Sequence, residues 1–124
     1  MVTIEFNGKR VAATSIEQFG SALETFDVES QFELWLSWPD GPSICMLRNG
    51  FDAFLMCLRF SGDSGVVSKG DSSNSGSVKY RLKNGQTDEY PASYSIPLEE
   101  CYKALAYFYV NDGVRPDWVH WEEP

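Results

Sequence analysis

Three Asn-Gly pairs, Asn7-Gly8, Asn49-Gly50 and Asn84-Gly85, punctuate this chain, and strand-like residues flank each of them. Asn-Gly is the strongest short-range hairpin signal, because both residues tolerate the positive φ that a two-residue turn demands. The first pair joins residues 2–6 to 9–13 and sets Phe6 opposite Lys9, Glu5 opposite Arg10 and Ile4 opposite Val11. The second joins residues 43–48 to 51–60, the most apolar part of the chain. Its second arm hardly alternates, which predicts a central strand covered on both faces. The third sets Lys83 opposite Gln86, Arg81 opposite Asp88 and Lys79 opposite Tyr90. Val78, Tyr80 and Leu82 then share the other face, and Arg81 with Asp88 forms a cross-strand ion pair.

Between the first two hairpins the periodicity changes. Ser15 can cap a helix over residues 16–26 with Gln18 completing a capping box, and Ile16, Phe19, Leu23 and Phe26 form its apolar stripe. Residues 31–38 then alternate cleanly: Phe32, Leu34 and Leu36 point inward, whereas Glu33, Trp35 and Ser37 point outward. Trp35 is therefore expected as an exposed aromatic beside an acid. A turn at Pro39-Asp40-Gly41-Pro42 follows, and later a short Val66-Val67 strand and a polar loop over residues 69–76.

The last quarter reads as a second helix and a short aromatic strand. Leu98, Cys101 (or Tyr102), Leu105 and Phe108 line one stripe, with Pro97 at the first helical position. Asn111-Asp112-Gly113 supplies the stop, and Pro116 prevents resumption. Trp118-Val119-His120-Trp121 then brings large rings together, which need something to pack against. The sum is an α+β fold: a single domain over residues 1–124, with two helices packed on a mainly antiparallel sheet of hairpins.

The charge and the termini narrow the function classes. A formal net charge of −8 argues against direct binding of nucleic acid, since phosphate contacts require clustered Lys and Arg. The imbalance is uneven: no basic residue lies between Arg10 and Arg48, while Glu17, Glu24, Asp27, Glu29, Glu33 and Asp40 do. That stretch reads either as a solvated face or as a steering surface for a basic protein partner. No apolar run is long enough for a membrane helix, and residues 1–5 hold no secretory signal, so a cytoplasmic location is expected. Cys45, Cys57 and Cys101 are odd in number and sit in apolar stretches, as small core residues do.

Little in the chain carries chemistry. The sole histidine, His120, stands between tryptophans, with no nucleophile and orienting acid marked out by motif. His120-Trp121-Glu122 matches half of the zinc nucleobase deaminase signature, but the Pro-Cys-x-x-Cys half that supplies the remaining ligands has no room to follow. Asp63 and Asp71 lack EF-hand spacing. No catalytic residue, cofactor or metal is therefore expected.

The run Tyr107-Phe108-Tyr109, Gly113-Val114-Arg115-Pro116-Asp117-Trp118 and Trp121-Glu122 resembles the C-terminal signature of the first family of bacterial polymorphic-toxin immunity proteins. The likeness extends back over roughly residues 31–123, through Asn49-Gly50, Gly62-Asp63, Ser68-Lys69-Gly70 and Ile96-Pro97. It implies an α+β fold, no enzymatic activity, and a one-to-one complex with a cognate toxin encoded beside it, often a nucleic-acid deaminase or a nuclease. Trp118, Trp121 and Glu122 match the pattern, and packing is the role assigned to them.

Such a toxin carries a basic cleft, which an acidic protein can occupy in place of phosphate. The candidate contact residues are the acids and aromatics expected at the surface: Glu33, Trp35, Trp38 and Asp40 on one edge, and Asp63, Asp71, Asp88 and Glu89 around the loops. A small enzyme, or an acidic adaptor subunit, with a pocket near Trp118 and Trp121 is the competing reading.

Overall fold

A computed structural model describes residues 2–124. The sheet-forming strands are β1 (Thr3–Phe6), β2 (Lys9–Val11), β3 (Gln31–Ser37), β4 (Ser43–Asn49), β5 (Asp52–Leu58), β6 (Val66–Ser68) and, near the C-terminus, β9 (Trp121–Glu122). They hydrogen-bond in the order β2-β1-β3-β4-β5-β6-β9, all antiparallel. Helices α1 (Ile16–Asp27) and α2 (Leu98–Val110) lie on one face. A separate hairpin of β7 (Ser77–Arg81) and β8 (Thr87–Pro91), with a 3-10 turn Ala92–Tyr94, covers part of the other. The fold is α+β.

Alternation along the strands divides the core in two. Phe32, Leu34, Leu36, Ile44, Met46, Leu55 and Cys57 face the helices and pack with Phe19, Phe26, Cys101, Leu105 and Phe108. Cys45, Leu47, Phe54 and Val67 face the hairpin and pack with Tyr80. Strand β5 is thus covered on both faces, as its unbroken apolar run predicts. Phe6 stacks on Phe26 at 4.2 Å and Phe19 on Tyr109 at 4.4 Å, tying α1 to the first strand and to α2.

The three Asn-Gly pairs make three different turns. In the first, Asn7 (φ 50°) and Gly8 (φ 82°) both take positive φ, and the expected register follows: Phe6 opposite Lys9 and Ile4 opposite Val11. In the second, Asn49 stays in its strand opposite Asp52, and the two-residue loop is Gly50-Phe51, with positive φ (62°) at Gly50 alone. In the third, the Gly85 amide reaches the Leu82 carbonyl and the Leu82 amide reaches Gln86, so three residues loop out. That extra residue corrects the expected register by one: Arg81 faces Thr87, Tyr80 faces Asp88, and the ion pair is Lys79–Glu89 at 3.9 Å instead of Arg81–Asp88.

Helix boundaries follow their caps. The Ser15 hydroxyl accepts the Gln18 amide at 3.1 Å, while the Gln18 side chain returns to the Thr14 amide, one residue beyond a strict capping box. Of the expected stripe, Phe19 and Phe26 are buried, and Ile16 is exposed at the helix start. Pro97 sits at the cap of α2, one position before its first turn. The C-terminal strand holds only Trp121 and Glu122, because the segment before it runs as turns.

Candidate functional site

The candidate contact residues fall into satisfied and free groups. Glu33 was expected to project into solvent; it is buried instead. Its Oε2 accepts the Trp35 indole N–H at 2.6 Å and its Oε1 accepts the Lys83 amide at 2.8 Å, clamping the β7–β8 hairpin to β3. Trp35 is half-buried against the hairpin's cluster for the same reason. The outward face of β3 is an inner face, because a second layer lands on it. No local pattern in β3 announces that layer.

Trp38 is also half-buried, packed so closely on Gly113 that a Cβ there would lie 2.6 Å from its ring. Asp40 is exposed, with φ 55° in the tight turn between Trp38 and Pro42. Asp63 is not a free loop acid. Its carboxylate accepts the Arg59 amide (2.8 Å), Nε (2.7 Å) and Nη2 (2.9 Å), and its side chain is only 3% accessible. Those bonds hold its pKa far below the usual carboxylate range. Asp71 is exposed and binds the Ser73 amide and hydroxyl, which lower its pKa in the same direction. Asp88 and Glu89 are exposed at successive positions of β8, where Asp88 accepts the Tyr90 hydroxyl at 3.3 Å and Glu89 pairs with Lys79. The four residues expected on one edge are divided: Glu33 and Trp35 lie under the hairpin, and Trp38 and Asp40 lie beyond the end of β3. Trp38, Asp40 and Asp63 belong to one end of the sheet, while Asp88 and Glu89 lie on the hairpin.

The signature segments make a close-packed seam. Gly113 (φ 86°) donates its amide to the Phe108 carbonyl and ends α2 against Trp38. Pro116 is buried, and its carbonyl accepts the Trp121 indole at 2.8 Å. Ser68 donates to the Tyr94 carbonyl and accepts the Leu55 amide, both at 2.9 Å. The Lys69 and Gly70 amides reach the carbonyls of His120 and Ser93, and a Cβ at Gly70 would overlap the Ser95 carbonyl oxygen. Glu122 reaches Lys69 at 3.5 Å. Trp118 departs from the packing expected of it: it is 48% exposed, and Val119 is the residue that segment buries. Turns place the Trp118 ring outward, where a continuous strand would have alternated it.

A shallow cleft of about 400 Å³ does lie there, lined by Arg115, Asp117, Trp118, Val119, His120 and Trp121. His120 stands 3.4 Å from Glu122, and this lining contains no hydroxyl or thiol nucleophile. Among the described residues, no three His, Cys, Asp or Glu side chains gather as a metal site would need. The three cysteines are free and buried. Burial pushes the Cys57 thiol up to about 12 and raises those of Cys45 and Cys101, so none presents a thiolate at neutral pH. No helix among the described residues is long and apolar enough to cross a membrane.

The opposite end of the sheet is built around Arg48, a residue the sequence reading did not single out. Its guanidinium is buried on the helix face, over the Phe32 ring at 5.9 Å. It donates to the carbonyls of Gly50 (2.8 Å), Glu29 (3.0 Å) and Asp27 (3.1 Å) and to the Asp27 carboxylate (2.9 Å). The Tyr102 hydroxyl donates to that carboxylate at 2.7 Å; burial, and then Asp27, raises its pKa. The Gly50 amide completes the knot by donating to Ser30 at 2.7 Å. A buried charge this fully partnered fixes the end of α1 to the β4–β5 turn. Beyond the knot stand Phe51, 91% exposed, and Val28, 84% exposed. The signal for Phe51 was present in the chain: Gly50 can occupy the first loop position as well as the second, and that choice moves Phe51 from strand to tip.

A family model described as immunity protein Imm1 matches residues 40–123, more than half of the chain. No curated protein matches it.

Proposed function

The chain belongs to the immunity protein Imm1 family, and from that premise we propose that it binds one cognate toxin, one-to-one, and neutralises it by filling the cleft that takes the toxin's substrate. Membership implies a toxin partner; the chemistry of that partner is read from charge. The observation that carries the reading is the acidity of the chain, a formal net charge of −8, combined with acids left free of ion pairs on its surface. A toxin that acts on DNA or RNA needs basic residues to hold phosphate, and those residues attract an acidic inhibitor at long range. A deaminase or nuclease toxin therefore fits best. Inhibition by occlusion needs no catalytic group, cofactor or metal in the inhibitor, and the complex forms in the cytoplasm, where the nucleic acid to be protected lies.

Of the sequence-derived contact residues, Asp40, Asp71, Asp88 and Glu89 retain exposed carboxylates, and Trp118 joins them as an exposed ring. Glu33 and Asp63 are occupied within the protein. The test is co-expression of the tagged protein with the product of its neighbouring gene, followed by titration calorimetry. The expected result is a stoichiometric complex of nanomolar or tighter affinity that nucleic acid competes away. Failure of the neighbour's product to bind would remove this reading.

A further inference from the structure

The β4–β5 turn ends in a feature that folding does not explain. Phe51 is the most exposed large apolar residue among the described residues, at 91%, on a two-residue loop whose first residue is held at both its amide and its carbonyl. The Gly50 carbonyl and amide are both held, by Arg48 Nε at 2.8 Å and by Ser30 at 2.7 Å. Val28 stands bare beside it on the end of α1, whose carbonyls at Asp27 and Glu29 the same guanidinium grips. A rigid, protruding aromatic costs little conformational entropy on binding, which is what an interface anchor requires.

The surroundings state what kind of pocket it fits. Glu29 and Asp52 flank the tip, are exposed and hold no ion pair among the described residues, and Asp27, though paired with Arg48, keeps about half of its side chain accessible. The α2 N-terminus begins at the same end, since the Ile96 amide bonds the Ala53 carbonyl, and it adds Glu100. The nearest basic groups are engaged: Arg48 in the knot, Lys103 with Glu99, Lys79 with Glu89, and Arg81 with the Gln31 carbonyl. A flat apolar ring flanked by carboxylates has the arrangement of a nucleobase flanked by phosphates. Enzymes that act on bases extrude the base into an apolar or aromatic pocket and hold the adjoining backbone with cations. We propose that the Gly50-Phe51 tip is the wedge of this protein: Phe51 enters the base pocket of the toxin, and Glu29, Asp52 and Asp27 meet the cations that hold phosphate. The proposal rests on the toxin-binding reading above and adds the surface and its mode.

The experiment is titration of the neighbouring gene's toxin domain with four forms of the full chain: wild type, Phe51→Ala, Phe51→Tyr and the pair Glu29→Lys with Asp52→Lys. Thermal denaturation of each form checks the fold, and all four are expected to melt near wild type because these side chains are exposed. Phe51→Ala should weaken binding by about 30-fold or more, the size of an interface hot spot. Phe51→Tyr keeps the ring and should restore most of the affinity. The double charge reversal should slow association and flatten its dependence on salt. Binding of Phe51→Ala at wild-type strength would overturn the wedge while leaving the toxin reading intact. Wild type failing to bind would remove that reading, and the wedge with it. Self-association of the wild type that Phe51→Ala abolishes, with toxin binding unchanged, would assign the tip to a dimer contact and also overturn the proposal.

Discussion

The seam of signature segments and the Phe51 end are built in opposite ways. At the seam, backbone lies against backbone and ring so closely that Gly70 and Gly113 have no space for a side chain, and Trp121 spends its indole N–H on Pro116. At the Phe51 end a buried guanidinium gathers three carbonyls and a carboxylate, and what it holds up is bare apolar surface. The seam consumes its residues in packing, whereas the knot consumes polar groups and leaves its apolar ones free. Apart from the Trp38 ring, the seam lies inside residues 40–123, while the Phe51 end mixes matched residues with the end of α1. On the proposed binding mode, the toxin would meet an end drawn partly from outside the matched residues, and specificity can be set there without altering the seam.

The largest expected effect breaks the seam. Gly70→Ala places a methyl group on the Ser95 carbonyl oxygen, a backbone atom that cannot rotate aside. Either β6 or the segment after the 3-10 turn must move, and with it the bonds from Gly70 to Ser93 and from Ile96 to Ala53. The cost should be on the order of 3 kcal/mol. Chemical denaturation should show it as a lower midpoint with an unchanged slope. A midpoint within error of wild type would mean that the seam yields easily and that the contrast with the Phe51 end is false.

An intermediate effect tests the knot. Arg48→Met keeps volume on the helix face but strips donors from three carbonyls and from Asp27. Those carbonyls are near enough to solvent to be rehydrated in part, so the loss should be about 2 kcal/mol, below the full cost of an orphaned buried charge partner. Its second consequence separates it from the seam. With Gly50 and the end of α1 released, toxin binding should weaken in the variant even at temperatures where it is fully folded. Equal affinity of folded Arg48→Met and wild type would show that the knot serves stability alone.

How much of this was legible beforehand depends on what each residue needed to know. The first hairpin was readable to the register, because both residues of Asn7-Gly8 decide the turn by themselves. Phe19 and Phe26 of α1, the buried stripe of α2 and the doubly covered β5 are readable too, since periodicity reports burial directly, while Ile16 is exposed at the helix start. Glu33 reads as a surface acid because its burial depends on a hairpin fifty residues away landing on β3. Phe51 reads as a strand residue because Asn-Gly permits two placements of the loop, and only the pairing of Asn49 with Asp52 chooses between them. Trp118 was read as packed because clustered rings are usually buried together, yet the turns around Pro116 bury Val119 instead. Sequence carries local decisions well; which aromatics and acids stay free is decided by layers that meet across the fold.

The smallest expected effect sharpens the contrast between satisfied and free acids. Asp63 is held by the Arg59 guanidinium and amide at the turn after β5, and its pKa is depressed on that account. A carboxylate whose folded pKa lies below its unfolded value of about 4 stabilises the fold above that value and loses the contribution as pH falls toward the folded one. Asp63→Asn should therefore melt below wild type at pH 7, with the gap narrowing progressively as the pH falls below about 4. The pair is half open on the Arg59 side, so the gap should amount to only a few degrees. Parallel melting curves for the two proteins over that range would mean that Asp63 acts through its shape and not its charge. Toxin affinity should be untouched in this variant, since a carboxylate that is buried and already bonded within its own chain is out of reach of a partner's cations. That is the property that sets Asp63 and Glu33 apart from Glu29 and Asp52.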